Sequence, residues 1–272
     1  MVFNTPDGIA ALTPGNPFDR LPDGRPNVPD DLLERMKLVT TEEAWAILER
    51  RHNYYFQFEG DWMNLHPDRV VVGRAVTAMF VPHRPDLHEI IEAQGREAGY
   101  SGGQNTWIID KLQPNDVLVV DLFGKIKDGT FVGDNLSAAV KTRTGTGLIV
   151  HGAIRDLQRI YELTDFNVFT RGVDPTPIGN VTLVGVNIPI RIGNTTVLPG
   201  DVVLGTRTGV TFIPPALAQQ VVETSENTRL RDVFGQLRIA EGIYSSGEID
   251  VPTWQEHIET DYLAWFAARS GR

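Results

Sequence analysis

The chain contains no cysteine, which excludes disulfide bonds, thiolate zinc sites and a cysteine nucleophile. It also has no run of about eighteen apolar residues, the length that a membrane-spanning helix needs. The opening residues Met1-Val2-Phe3-Asn4 do not begin a secretory signal. We therefore expect a cytoplasmic protein with no membrane partner.

Basic residues are scarce, since 25 Lys and Arg stand against 35 Asp and Glu, for a formal net charge of −10. This balance argues against binding to a phosphate backbone, so no nucleic-acid partner is expected. The glycine-rich segment 101–105 has neither a Walker lysine nor a GxGxxG spacing, and we predict a loop that lines a pocket. No glycine-rich first βα turn supports an S-adenosylmethionine fold.

Proline and periodicity divide the 272 residues into three parts. Residues 1–36 are rich in proline and predict an extended arm that wraps a neighbouring surface or subunit. Residues 37–214 alternate helical and strand patterns, and residues 215–272 predict a C-terminal helical extension. The order of elements indicates an α/β core with a mixed sheet.

Several local patterns set the expected elements of this core. Thr40 and Thr41 are candidate caps of a helix with apolar residues at helical spacing. The segment 69–81 predicts a strand, a turn and a second strand, and residues 87–98 predict a helix. Residues 116–122 form an apolar run of strand length after a turn signal.

The most informative stretch is GDNLSAAVKTRTGTGLIVHGAIRD, residues 133–156. Gly133 and Asp134 predict a turn that opens a helix, whose free N–H groups near Asn135 and Leu136 attract carboxylates. A buried strand then ends at Arg155 and Asp156. An arginine can grip a carboxylate bidentately, and an aspartate beside it can hold Mg²⁺ with its waters. The alternative is an Arg155–Asp156 ion pair at the start of the next helix.

These motifs, with LPGDVVLGTRTGVTFIP at residues 198–214, resemble the 4-hydroxy-4-methyl-2-oxoglutarate aldolase and RraA-like family over roughly residues 38–242. The aldolase signature is an aspartate, twenty residues, Arg-Asp, two residues and an acid. Asp134, Arg155 and Asp156 match it, and Arg159 stands where the last acid is expected. The resemblance implies an α/β/α sandwich of the swivelling phosphohistidine-domain type, assembled as a homotrimer or hexamer.

The resemblance also implies a mechanism and a role for each matching residue. Asp156 matches the ligand of a Mg²⁺ or Mn²⁺ ion, Arg155 the residue that contacts substrate oxygens, and Asp134 the acid that positions a water for proton transfer. The backbone N–H groups of Asn135 and Leu136 match a cradle for the substrate carboxylate. The family site is completed by an acid from a neighbouring subunit, for which Glu226 is the candidate, followed by Glu223.

The chain departs from the family pattern at His151, Arg159 and 206–208, each change removing negative charge near the expected crevice. His151 is either a catalytic proton carrier or metal ligand, or a histidine that satisfies a backbone carbonyl. Arg159 lies four residues after Arg155, so both would share a helix face and hold a second anionic group of the substrate. The alternative for Arg159 is an exposed ion pair with Glu162 or Asp165.

His83 and His88 also invite a metal interpretation, but their spacing of five and the intervening Pro85 disfavour one. Three function classes follow from the sequence. The first is a metal-dependent lyase that cleaves a hydroxylated 2-oxo acid by a retro-aldol reaction, with oxaloacetate decarboxylation as a side reaction. The second is a dehydratase or isomerase on a sugar-derived acid. The third is a non-catalytic RraA-type regulator that binds a protein partner.

Overall fold

The computed structural model describes residues Val2–Ser270, which form the following elements. The helices are α1 Pro6–Leu12, α2 Asp30–Met36, α3 Thr41–His52, α4 Pro85–Glu97, α5 Gln104–Ile109, α6 Asp134–Thr144, α7 Leu157–Tyr161, α8 Pro215–Ala240, α9 Ser246–Ile249 and α10 Glu256–Ser270. The strands are β1 Phe58–Glu59, β2 Met63–Asn64, β3 Val71–Pro82, β4 Asp116–Asp121, β5 Gly147–Ile154, β6 Asn167–Val173, β7 Val181–Val186, β8 Ile190–Ile192, β9 Thr195–Val197, β10 Val202–Gly205 and β11 Val210–Ile213.

The main sheet is mixed, as the sequence predicts, and has the order β1-β11-β10-β3-β4-β5-β6-β2, with β7 also paired to β3. Strands β3, β4, β5 and β6 are parallel neighbours, whereas β10 and β7 run antiparallel to β3. The carboxyl ends of the four parallel strands therefore meet at one edge of the sheet. Ligands of open α/β sheets bind at such an edge.

Apolar clusters cover both faces of this sheet. Leu148 and Val150 on β5 belong to one cluster, which includes Val140 of α6 and Ile160 of α7. Ile149, between them, belongs to the opposite cluster with residues of β8 and β9. All three strand residues are fully buried, and each contributes about 1.5–3 kcal/mol relative to an exposed side chain. Burial on both faces explains why this strand is a continuous apolar run.

The strand β3 corrects the expectation of two strands within 69–81, because it is continuous through Gly73 and Arg74. A Cβ at position 73 would stand 2.4 Å from the carbonyl oxygen of Asn115, so glycine is needed for close approach rather than for a turn. The buried Arg74 guanidinium donates to the carbonyls of Val28 and Pro114 and to Asp30.

The proline-rich N-terminal segment is not extended throughout, which corrects a second expectation. It contains α1 and α2 and packs on the sheet of its own chain. Ile9 and Val28 are fully buried, and the buried Arg25 guanidinium forms two hydrogen bonds to Asp116, at 2.7 and 3.2 Å. Removing one partner of such a buried pair leaves an uncompensated charge, so the segment is anchored firmly.

Two further predictions concern helices. The helix expected at Thr40 is confirmed as α3, which begins with a capping box between Thr40 and Glu43. The segment 101–105, predicted to be a loop, instead leads into α5, whose Trp107 is buried against Gly95 of α4.

The contacts divide the chain into a compact unit up to Val222 and a second one from Glu223 onward. The second unit contains the rest of α8 with α9 and α10, packed around Phe234, Trp254 and Ile258. None of the helices within Val2–Ser270 combines the length and apolar composition that a bilayer span requires.

Candidate functional site

The backbone brings Gly133 directly beside Arg155 and Asp156 at the carboxyl edge of the sheet. The segment that precedes Gly133 runs alongside the end of β5, with hydrogen bonds from Phe131 N–H to Ala153 O at 2.9 Å and from Arg155 N–H to Val132 O at 3.0 Å. The twenty residues between Asp134 and Arg155 are thus one helix and one strand that return the chain to its starting point.

Asp156 sits where β5 passes into α7, with a left-handed backbone (φ 56°) that aspartate adopts more readily than most non-glycine residues. Its carboxylate makes no hydrogen bond within the described part of the chain, and the nearest cation is Arg155 Nη1, at 3.7 Å from Asp156 Oδ2. The Asp156 side chain is 35% exposed. An acceptor-only group with free lone pairs and partial exposure is available to bind a ligand.

Asp134 opens α6 beside this pair. Its Oδ1 accepts the N–H of Asn135 at 2.8 Å, and its Oδ2 lies 3.8 Å from Arg159 Nε. The first intrahelical bond runs from Ser137 N–H to Gly133 O, so the N–H of Leu136 precedes it and points from the helix N-terminus. Of the predicted carboxylate cradle, the Asn135 donor is thus occupied by Asp134.

Arg159 lies on α7 and approaches Asp134, not Glu162 or Asp165. Its side chain is 75% exposed, and its contact with Asp134 places a positive charge where the family signature has an acid. Two aspartates and two arginines therefore meet at this edge, namely Asp134, Asp156, Arg155 and Arg159. Such a site can bind an anionic substrate between the arginines.

His151 lies on β5, four positions before Arg155. It shares the face of β5 with Ile149, opposite to the face that packs against α6. Its Nδ1 lies 3.4 Å from Oδ1 of Asp121, the residue opposite it in the β4–β5 register. The role of His151 beside Asp156, as proton carrier or second metal ligand, stays a prediction.

Two other predicted features are the turn of residues 206–208 and Glu226. The turn of residues 206–208 joins β10 to β11, and Gly205 before it pairs with Val71 at the amino end of β3. This turn is therefore at the opposite edge of the sheet, and the expectation that it borders the crevice was wrong. Glu226 is on α8 in the second unit, and its placement in a neighbouring subunit's site stays a prediction.

The sequence reasoning missed the role of Asn105. This buried side chain donates to the carbonyl of Phe131 at 2.7 Å and so holds the segment that leads to Gly133. Asn105 also lines a polar cavity of about 370 Å³ together with His83, His88, Glu92 and Gln104. The sequence signal is the Gln104-Asn105 pair after two glycines, within the segment predicted to be a loop that lines a pocket.

The donor set fits a hard divalent cation. Within Val2–Ser270, no three histidine, aspartate or glutamate side chains converge as a complete cage. Mg²⁺ does not need such a cage, because it keeps several waters and binds through one or two carboxylates. The Asp156 carboxylate, with no hydrogen bond of its own and a partly exposed position, can supply that ligand.

The fold and the site define a mixed α/β protein with paired aspartates and arginines at the carboxyl edge of its parallel strands. The chain belongs to the RraA-like family, described as Aldolase/RraA, whose model matches residues 47–212. A Halalkalibacterium halodurans protein called "Putative 4-hydroxy-4-methyl-2-oxoglutarate aldolase" is 27% identical over 151 residues, 54% of this chain and 71% of that protein. Protein DlpA of Legionella pneumophila is 29% identical over 188 residues, which cover 68% of this chain but 28% of DlpA.

Solved structures show the same fold. Streptomyces coelicolor RraAS2, an unusual member of the RNase ES inhibitor RraA protein family, superposes with a TM-score of 0.66 at 25% identity, covering 82% of this chain and all of that one. An uncharacterized protein from Pseudomonas syringae pv. tomato gives a TM-score of 0.66 at 21% identity, covering 83% of this chain and 93% of that one. The family thus includes both aldolase-type and regulator-type members.

Proposed function

We propose that the protein is a divalent-metal-dependent carbon–carbon lyase, of the class II pyruvate aldolase type. It would cleave a hydroxylated 2-oxo acid by a retro-aldol reaction through a pyruvate-type enolate, with oxaloacetate decarboxylation as a side reaction. The observation that supports this function is the convergence of Asp134, Arg155 and Asp156 around Gly133 at the sheet edge. The similarity to the Halalkalibacterium protein supports the same reaction class.

In this proposal Asp156 holds a Mg²⁺ or Mn²⁺ ion with its waters, and Glu226 of a neighbouring subunit supplies a second acid. When bound, the ion supplies Lewis-acid polarisation of the 2-oxo group and stabilises the charge that develops as the bond breaks. Arg155 binds the substrate carboxylate or 2-oxo oxygen through its planar guanidinium. The Leu136 N–H contributes a further donor for the same carboxylate.

Asp134 is the proposed proton acceptor. The substrate hydroxyl loses its proton to Asp134 through a water molecule that Asp134 orients, and its oxygen becomes a carbonyl as the carbon–carbon bond breaks. The electron pair of that bond passes to the 2-oxo fragment as an enolate, which then takes up a proton at carbon to give pyruvate. Asp134 is suitably placed because its side chain is 34% exposed and its Oδ2 makes no hydrogen bond within the described residues. Arg159, 3.8 Å from Asp134, would bind a second anionic group on the substrate, such as a distal carboxylate.

One observation favours a second candidate. Arg159 offsets the charge of Asp134 where an acid is expected, which suits either redirected chemistry on a sugar-derived acid or a protein-binding regulator. The similarity to RraAS2, from an RNase ES inhibitor family, supports the regulator. Under either proposal we expect a homotrimer or hexamer and the sandwich of the swivelling phosphohistidine-domain type.

The experiment that separates these functions measures pyruvate release by metal-stripped protein. Substrates are 4-hydroxy-4-methyl-2-oxoglutarate and oxaloacetate, each with no metal, Mg²⁺ or Mn²⁺. The lyase proposal predicts release that requires added metal. Folded protein that releases no pyruvate from either acid under any condition would contradict it and favour the redirected enzyme or the regulator.

A further inference from the structure

A second cavity, of about 410 Å³, lies between the N-terminal segment and the strands β9 and β10. It shares no lining residue with the candidate site described above. Its walls are mainly apolar and include Leu12, Leu198, Pro214 and Pro215, with Tyr54 among the exposed lining residues. Its volume is within the range of small-molecule sites, roughly 300–1,000 Å³.

Asp201 is the acidic residue among those that line this cavity. The residue is 2% exposed, and its Oδ2 accepts the N–H of Leu198 at 2.8 Å. Its Oδ1 makes no hydrogen bond, and no lysine or arginine forms an ion pair with it, within Val2–Ser270. Burial raises the pKa of this carboxyl to about 7, because no cation offsets the loss of water.

Hydrogen bonds within the N-terminal segment fix another part of the cavity wall. Arg20 donates to the hydroxyl and the carbonyl of Thr13, at 2.9 and 2.8 Å, and to the carbonyl of Gly24 at 2.8 Å. These bonds hold the turn that carries Thr13 and its neighbours Pro14 and Gly15 against the cavity. A preformed wall lowers the ordering cost of binding a ligand.

We propose that this cavity binds a small primary amine with an apolar body, whose ammonium group pairs with Asp201. Above its pKa the Asp201 carboxylate only accepts hydrogen bonds, and its free oxygen can then pair with a donor from the ligand. Buried carboxylates are normally paired with a cation, and within Val2–Ser270 no lysine or arginine pairs with Asp201. A cationic donor from the ligand is therefore favoured. The apolar walls select an aliphatic or aromatic body in place of a polar one.

The test is calorimetric binding of benzylamine and of its neutral isostere benzyl alcohol at ~pH 8, above the pKa of Asp201. We expect benzylamine to bind at least about tenfold more tightly than benzyl alcohol, the difference that a charge-assisted hydrogen bond produces. Asp201→Asn keeps an oxygen for the Leu198 N–H and should remove this preference.

A second variant tests the location independently. Ala216 is an exposed lining residue at the start of α8, so Ala216→Phe should obstruct the cavity and weaken both probes without changing Asp201. Folded wild-type protein that does not bind benzylamine, or that binds benzyl alcohol equally well, would overturn the proposal. An Asp201→Asn protein that keeps the preference for benzylamine would also overturn the proposal. Ala216→Phe protein with unchanged affinity for both probes would do the same. The Ala216→Phe result still tests the proposal if Asp201→Asn does not fold.

Discussion

The carboxylate of Asp156 packs against the backbone of Gly133 so closely that a Cβ at position 133 would stand 2.2 Å from Asp156 Oδ2. The same Cβ would stand 3.2 Å from Arg155 Nε. Gly133 has an extended backbone (φ −111°, ψ −161°) that alanine also adopts, so glycine is required here for space and not for conformation. This contact makes the position of Asp156 depend on the residue before Asp134.

Gly133→Ala should therefore displace Asp156 and impair turnover more than stability. The clashing atom is the end of a partly exposed side chain, which can move away at a cost of about 1 kcal/mol. A displaced ligand should lower kcat/KM by about tenfold or more. Steady-state kinetics and thermal unfolding measure the two effects. Gly15→Ala is the matched control, since a Cβ there meets nothing within 4 Å. Wild-type kinetics in Gly133→Ala would show that Asp156 need not hold this position.

Arg155→Lys should lower kcat/KM by about tenfold or more, because a point charge cannot reproduce the planar fork of the guanidinium. Arg155 is 43% exposed and its one ion-pair contact, to Asp156, is at 3.7 Å, so the fold should be unaffected. Kinetics with the proposed substrates provide the measurement. Arg143→Lys, at an exposed ion pair with Asp110, serves as the control. Equal kcat/KM for both variants would place Arg155 outside the substrate site.

Arg159→Glu restores the acid of the family signature and removes the positive charge 3.8 Å from Asp134. We expect Mn²⁺ to bind about thirtyfold more tightly, since the substitution changes the local charge by two units and each unit at a partly exposed site is worth about 1 kcal/mol. Titration of metal-stripped protein with Mn²⁺ measures this change. Arg159→Gln removes the charge without adding an acid and should give an intermediate affinity. Identical affinities in all three proteins would show that Arg159 does not influence the metal position.

Asp201 should make stability depend on pH. Its pKa is raised to about 7 in the folded protein, from 3.8 when unfolded. Between these values the folded state holds a proton that the unfolded state has released, so this group's contribution to stability falls as the pH rises from about 4 to about 7. The unfolding free energy of the wild type minus that of Asp201→Asn should fall by up to about 4 kcal/mol as the pH rises over this window. Denaturant unfolding at several pH values measures it, and a constant difference would mean that the carboxyl is not shifted.

Much of the fold followed from local patterns, because apolar runs and capping residues act through neighbours in sequence. The fully buried run Leu148-Ile149-Val150 and the capping box at Thr40 are examples. The prediction of a turn within β3 failed because Gly73 and Arg74 are explained by contacts with residues distant in sequence, Asn115 among them. No local pattern shows such a contact.

Part of the candidate site could be predicted from the sequence for the same reason. The helix-and-strand return that joins Asp134 to Arg155 is local, so both residues were placed at one edge. Asn105 was not readable, because its bond to Phe131 spans 26 positions and depends on the packing of α5.

The most direct test of the account compares pyruvate release by metal-stripped wild type and Asp156→Asn as Mn²⁺ is added, with 4-hydroxy-4-methyl-2-oxoglutarate as substrate. Asp156 makes no hydrogen bond within the described residues, so asparagine should leave the fold and its unfolding temperature nearly unchanged. The account predicts Mn²⁺-dependent release by the wild type and none by the folded variant. Equal release by both proteins at every Mn²⁺ concentration would contradict the central claim that Asp156 holds the catalytic metal.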